Sequence, residues 1–254
     1  MSIPLCKNAL SKYSAFIFDL SGVLVDAGVR IPYIALTSAF HFNGVYIPDN
    51  MIHFALGRNE EKYIDSICKI HKCSTKYNKI YNMYKKNLIK LNESEYFNAP
   101  IHGAIKLTQT LKKQGYLIGI TTNYNRDIFE IIKPTLAKNC ILYDEVVCRD
   151  DTMSGRPEPF MLYKMLNELK LYNTDVIKIG ESYLSLCESY NARIDNINVI
   201  DTCSEMGIDE ETFDDMCYIL KDDKRKKVMD RLAFYYQPKY YINSVHDLCK
   251  IIQK

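Results

Sequence analysis

The apolar run Ala15-Phe16-Ile17-Phe18, closed by Asp19 and followed by Gly22, constrains this chain more than any other stretch of its 254 residues. Neither of its alternating faces can be left in water, so the run predicts a strand buried on both sides, as in a parallel sheet, with Asp19 at its carboxyl end. The signature returns at Leu117-Ile118-Gly119-Ile120, Glu145-Val146-Val147, Val176-Ile177-Lys178-Ile179 and Ile197 to Ile200. Helical spacing fills the intervals from Ile101 to Gln114, Asp127 to Ile132, Phe160 to Leu169 and Leu184 to Ala192. This rhythm predicts an α/β, Rossmann-like parallel sheet with right-handed crossovers and helices on both faces.

From Pro32 to Phe42, and again from the fifties to about Leu91, only helical spacing occurs. The block predicts an inserted all-helical cap at the carboxyl edge of the sheet, where ligands of such sheets bind. The expected organisation is a core of residues 1–27 and 99–254 with a helical cap over 28–98. Thirty-three basic against thirty-one acidic residues give a net charge of +2, which excludes dominant electrostatic attraction to nucleic acid or membrane. The basic run Lys224 to Lys227 reads as a solvated helix face. Nine cysteines without a C-x-x-C pair read as reduced thiols rather than a zinc site. With no leader-like apolar segment and no membrane-length run, the chain reads as soluble and cytoplasmic.

Neighbouring strand ends of such a sheet line one crevice, and each carries a group suited to phosphoryl chemistry. Asp19 can attack phosphorus and form an aspartyl-phosphate. Gly22 lets backbone N–H groups approach an anion. Thr122, with Thr121, Asn123 and Tyr124, ends the second strand, where a hydroxyl and amides can hold phosphoryl oxygens. Arg156 offers fixed positive charge to the transferring group, and Glu181 can bind Mg²⁺ together with Asp19. Taken singly, these residues read as caps, turns or surface charges; their order along successive strand ends is what points to a phosphate crevice.

With Asp19-Leu20-Ser21-Gly22, Thr122-Asn123, Arg156 and Gly180-Glu181 in this order, the chain resembles the haloacid dehalogenase-like superfamily. Phe18 to Gly28, Ile120-Thr121-Thr122-Asn123-Tyr124 and Gly155-Arg156-Pro157 are similar to motifs of its phosphonoacetaldehyde hydrolase branch, and the similarity extends to the tail around Ser204 to Gly207. The resemblance implies one Mg²⁺, a homodimer contacting through the caps, and a metal held by Asp19, the backbone carbonyl of Ser21 and Glu181. It also implies a small phosphorylated or phosphonate metabolite, met by Gly22, Asn123 and Tyr124 and, from the cap, by Gly57 and Arg58.

The departures bear on mechanism. Ser21 stands where phosphatases of the superfamily carry an acid that protonates the leaving group, and a neutral hydroxyl is a poor general acid. The branch forms a Schiff base on a cap lysine, whereas Glu60 holds that position and Tyr63 that of a nearby histidine. Lys62 lies two residues on, roughly 200° around a helix, and is expected to face elsewhere. Glu181 replaces an Asp, moving its carboxylate by roughly 1.5 Å, and Ser185 replaces a second. Three readings stay open: a Mg²⁺-dependent phosphohydrolase, a phosphonoacetaldehyde hydrolase, and a catalytically degenerate phosphate-ligand or protein-binding module.

Overall fold

The computed structural model describes residues 5–25, 30–49, 51–52, 60–93, 99–203 and 218–253. Six parallel strands form one sheet in the order β3-β2-β1-β4-β5-β6. They are β1 (Ala15–Asp19), β2 (Leu117–Thr122), β3 (Glu145–Cys148), β4 (Val176–Gly180), β5 (Asp195–Val199) and β6 (Tyr240–Ile242). The two directions of winding meet between β1 and β4. This switch point opens a crevice beyond the carboxyl ends of the strands, and Asp19 and Glu181 flank it.

Every residue of β1 is buried. Phe16 and Phe18 face one hydrophobic cluster and Ala15 and Ile17 the other, as a period of two demands of a strand covered on both sides. Burial of each phenylalanine contributes about 2–3 kcal/mol. Between β1 and β2 the described segments contain α1 (Arg30–Phe42), α2 (Glu60–Ile70) and α3 (Tyr77–Asn92). Ala35, Leu36, Ala39, Ile80, Tyr84 and Leu88 from this block join the cluster that covers Phe16 and Phe18. No helix among the described residues is long and apolar enough to cross a membrane.

The helical spacing after β2 ends at Ile132, two residues before Pro134. In the structure α4 runs Arg126–Lys138 through that proline: Ile128, Phe129, Ile132 and Leu136 are all buried on one face, and their packing outweighs the lost backbone bond. Strand β6 and the helix after it, α5 (Val245–Gln253), are elements the periodicity did not mark. At three residues β6 is too short to display alternation. Helix α5 begins in a reciprocal cap, where Ser244 Oγ accepts from the Asp247 N–H at 3.2 Å and Asp247 Oδ2 accepts from the Ser244 N–H at 3.3 Å.

At the opposite edge of the sheet Asp195 accepts from Tyr13 at 2.6 Å, Lys12 at 3.0 Å and Lys239 at 2.5 Å. Burial opposes its charge, but these donors prevail and hold its carboxyl below the ordinary carboxylate range. A depressed acid contributes stability above its unfolded pKa and loses it as pH falls through the folded value. Asp195→Asn is therefore expected to lower stability by about 1 kcal/mol at neutral pH, after allowance for solvent screening. The deficit should shrink in urea titrations as pH falls through and below the ordinary Asp range; a deficit unchanged by acid contradicts the assignment.

Candidate active site

Register brings the polar groups together. Asp19 pairs with Thr121 and Ile17 with Lys178, so with a period of two Asp19, Thr121 and Lys178 project from the same face. Lys178 lies one pleat short of Asp19, and its long stem carries the ammonium up to the carboxylate. Asp19 Oδ1 accepts from Lys178 Nζ and, at 2.5 Å, from Arg156 Nη2. The same Arg156 nitrogen reaches Thr121 Oγ1 at 3.1 Å, and Arg156 Nε donates to Glu188 Oε2 at 2.9 Å. Asp19, Lys178 and Glu188 are 1%, 0% and 0% exposed.

Two cations and two anions thus share a dry site. Burial pushes the Glu188 carboxyl above its ordinary value against the pull of Arg156 and Lys178. Burial also lowers the Lys178 ammonium, opposed by Asp19 and reinforced by Arg156. It works against Arg156 as well, yet Asp19 and Glu188 outweigh it and hold the guanidinium above its usual pKa. Asp19 Oδ2, Ser185 Oγ and Glu188 Oε1 are buried without a hydrogen-bond partner. A Cβ on Gly180 would lie 2.0 Å from Ser185 Oγ and 3.0 Å from Asp19 Oδ2, so the glycine is what lets these two oxygens approach the strand end.

Gly22 adopts φ +74°, and a Cβ there would meet Glu181 Cγ at 2.5 Å. Its N–H donates to Val25 O at 3.0 Å, so this one amide is held in a closed turn, and the glycine admits the Glu181 side chain. Ser21 forms an isolated bridge with Val25 in that turn. Thr122 Oγ1 accepts from the Tyr124 N–H at 3.2 Å, and Asn123 Oδ1 from the Arg156 N–H at 3.0 Å. Tyr124, expected to meet substrate, is buried in the hydrophobic core, where its largely apolar ring is shielded from water. Gly57 and Arg58 lie outside the described residues.

Beside this site a cavity of about 360 Å³ is walled by Lys62, Tyr63 and Ser66 of α2 and by Asn123, Arg149, Gly155, Arg156, Glu158 and Leu184 among others from the sheet side. Lys62 therefore faces the crevice, contrary to expectation. Positions 62 and 66 lie only about 40° apart on a helix, with 63 about 100° from 62, and this is the face that α2 turns to the sheet.

Lys178 and Glu188 are participants that pattern reading missed. A lysine inside the otherwise apolar run Val176–Gly180 was the available signal, since lysine is almost never fully buried without a partner. Glu188 offered none, because every residue from Leu184 to Ser189 is buried and no polar face betrays the inward acid.

The haloacid dehalogenase-like hydrolase family matches residues 16–199. A phosphonoacetaldehyde hydrolase of Bacillus cereus is 30% identical over 217 residues, 81% of this chain and 82% of the relative. One of Parabacteroides distasonis is 25% identical over 238 residues, 88% of this chain and 89% of its own. The crystal structure of a phosphonoacetaldehyde hydrolase-like protein from Oleispira antarctica superposes with TM-score 0.83 at 19% identity, covering 100% of this chain and 95% of that one. A β-phosphoglucomutase from Clostridium difficile gives TM-score 0.64 at 15% identity, covering 86% of this chain and 100% of that one, a likeness of fold. The family match over most of the chain and the 30% identical relative show that the chain belongs to the haloacid dehalogenase-like hydrolases, with phosphonoacetaldehyde hydrolases among its relatives.

Proposed function

We propose that this chain is a Mg²⁺-dependent phosphohydrolase that transfers a phosphoryl group from a small metabolite to Asp19 and then to water, with residues 28–98 as its cap. The observation that carries this reading is the asymmetry of Asp19. Its Oδ1 is held by Arg156 and Lys178, while Oδ2 is buried with no partner. A carboxylate oriented through one oxygen presents the other as a nucleophile at no further ordering cost.

Asp19 Oδ2 attacks phosphorus as the ester oxygen departs with the bonding pair. Water then attacks the phosphorus of the aspartyl-phosphate, releasing phosphate and restoring the carboxylate. Arg156 stays charged throughout and faces the oxygens of the transferring group. The leaving oxygen receives no proton from Ser21, so acyl and aryl phosphates, whose leaving groups are stable anions, are the favoured substrates.

Mg²⁺ fits the donor chemistry present: the Asp19 and Glu181 carboxylates and the Ser21 carbonyl are hard oxygens that would hold it, and Asp19 Oδ2, buried without a hydrogen-bond partner, is left to attack phosphorus. Among the described residues no group of three or more His, Cys, Asp or Glu could hold a metal, so the ion would keep several waters, as Mg²⁺ usually does. Bound there, it would neutralise phosphoryl charge facing Asp19. Turnover of an acyl and aryl phosphate panel should depend on Mg²⁺ and be lost on chelation. Undiminished hydrolysis in excess EDTA counts against the metal, and no hydrolysis of any member with Mg²⁺ present counts against the reading as a whole.

One observation favours a second reading, carbon–phosphorus cleavage of phosphonoacetaldehyde: Lys62 lines the cavity shared with Arg156. As a free base its amine can add to the aldehyde, expel water and leave an imine that accepts the electron pair of the breaking bond. Borohydride with the aldehyde should then increase the mass of the wild type and leave Lys62→Arg unmodified. An unmodified wild type dismisses this route.

A further inference from the structure

The crevice contains a second guanidinium that the phosphoryl chemistry does not use. Arg149 follows β3 and lines the cavity together with Arg156 and Lys62. Its Nε donates to Asn125 Oδ1 at 3.0 Å. Its stem presses on the backbone just before Arg156: a Cβ on Gly155 would stand 2.7 Å from Arg149 Cγ and 2.5 Å from Asn123 Oδ1. The adjacent acids are taken elsewhere, Asp151 by Arg126 and Asp150 by the Arg126 N–H. No carboxylate among the described residues pairs with Arg149. It is an oriented, partly buried cation with open Nη donors, lining the same cavity as Arg156 of the phosphoryl site.

From this placement we infer that the substrate carries a carboxylate at the end remote from phosphorus, and that Arg149 binds it. The inference rests on the phosphoryl reading of the Asp19 site and specifies its substrate class. A planar guanidinium held at Nε offers its Nη edge to a carboxylate. One guanidinium balances one negative charge, which matches a carboxylate better than a second phosphoryl group near −2. A cavity of about 360 Å³ holds about a dozen water-sized groups at roughly 30 Å³ each, so the linker is only a few carbons long. Glu158, the acid on the same wall, is exposed at the rim, where solvent screens it.

Two-carbon phosphonates differing only in their tails test this by equilibrium binding, in the presence of Mg²⁺, without requiring phosphoester turnover. Phosphonoacetate is expected to bind the wild type about tenfold or more tightly than ethylphosphonate, with 2-aminoethylphosphonate weakest. Arg149→Met should bring the first ratio close to one. Arg149→Glu should invert the order, a gain in amine affinity that a misfolded protein could not show. Equal wild-type affinity for the three, or a carboxylate preference that survives Arg149→Met, overturns the inference while leaving Asp19-dependent hydrolysis intact. Binding of none of them overturns it together with the phosphoryl reading. A carboxylate preference in a protein that hydrolyses no phosphate upholds the role of Arg149 and removes only the catalytic one.

Discussion

Asp19→Asn is expected to lower kcat on the best acyl or aryl phosphate by at least ~10³-fold, because an amide oxygen neither attacks phosphorus nor leaves it as a carboxylate does. The variant should still fold. Removing one of two buried anions leaves Arg156 and Lys178 facing Glu188 alone, an excess of one positive charge in a dry site. Lys178 can release that charge, since burial has already drawn its pKa downward, and proton loss restores neutrality. Thermal unfolding together with turnover separates the two consequences. A cooperative transition with no activity is the expected result, and a folded variant that hydrolyses substrate as fast as the wild type removes Asp19 from the mechanism.

The largest stability effects are expected at the groups that complete the buried charge balance. Lys178→Met keeps the stem but leaves Asp19 and Glu188 against Arg156 alone; Glu188→Gln leaves Arg156 and Lys178 against Asp19. Each leaves one charge in excess that only a proton taken up by Glu188 or lost by Lys178 can cancel, as in Asp19→Asn, at a cost of up to about 3–5 kcal/mol, or roughly 10 °C in melting temperature for a chain of this length. The double variant carries Asp19 and Arg156 only and is neutral again. It should be more stable than additive penalties allow, with a coupling of about 1–3 kcal/mol. Chemical denaturation of the four proteins measures this cycle. Strict additivity would mean that Lys178 and Glu188 act as packing groups and do not sense one another's charge.

The sheet was legible in the sequence because strands buried on both faces must be apolar at successive positions, and five such runs stand out. Helix ends and short elements were less so. Helix α4 continues through Pro134 to Lys138, beyond the Ile132 end that helical spacing marks, since the side chains it buries on both sides of the proline join the hydrophobic core. Strand β6, three residues long, carries too little pattern to distinguish it from a loop. Local sequence cannot weigh such tertiary contacts.

For the site, the sequence alone determined the order of strand ends and so the convergence of Asp19, the Thr121–Asn123 turn, Arg156 and Glu181 on one edge, because in a parallel sheet every carboxyl terminus lies on the same side. Only the tertiary structure decided which atoms meet. It enlisted Lys178 and Glu188, closed the Gly22 amide into a turn, buried Tyr124, turned Lys62 toward the crevice and left Arg149 without a counter-charge. The reason is geometric: chain order dictates the edge a residue reaches, while strand register, helix rotation and the neighbours already paired dictate what its side chain touches.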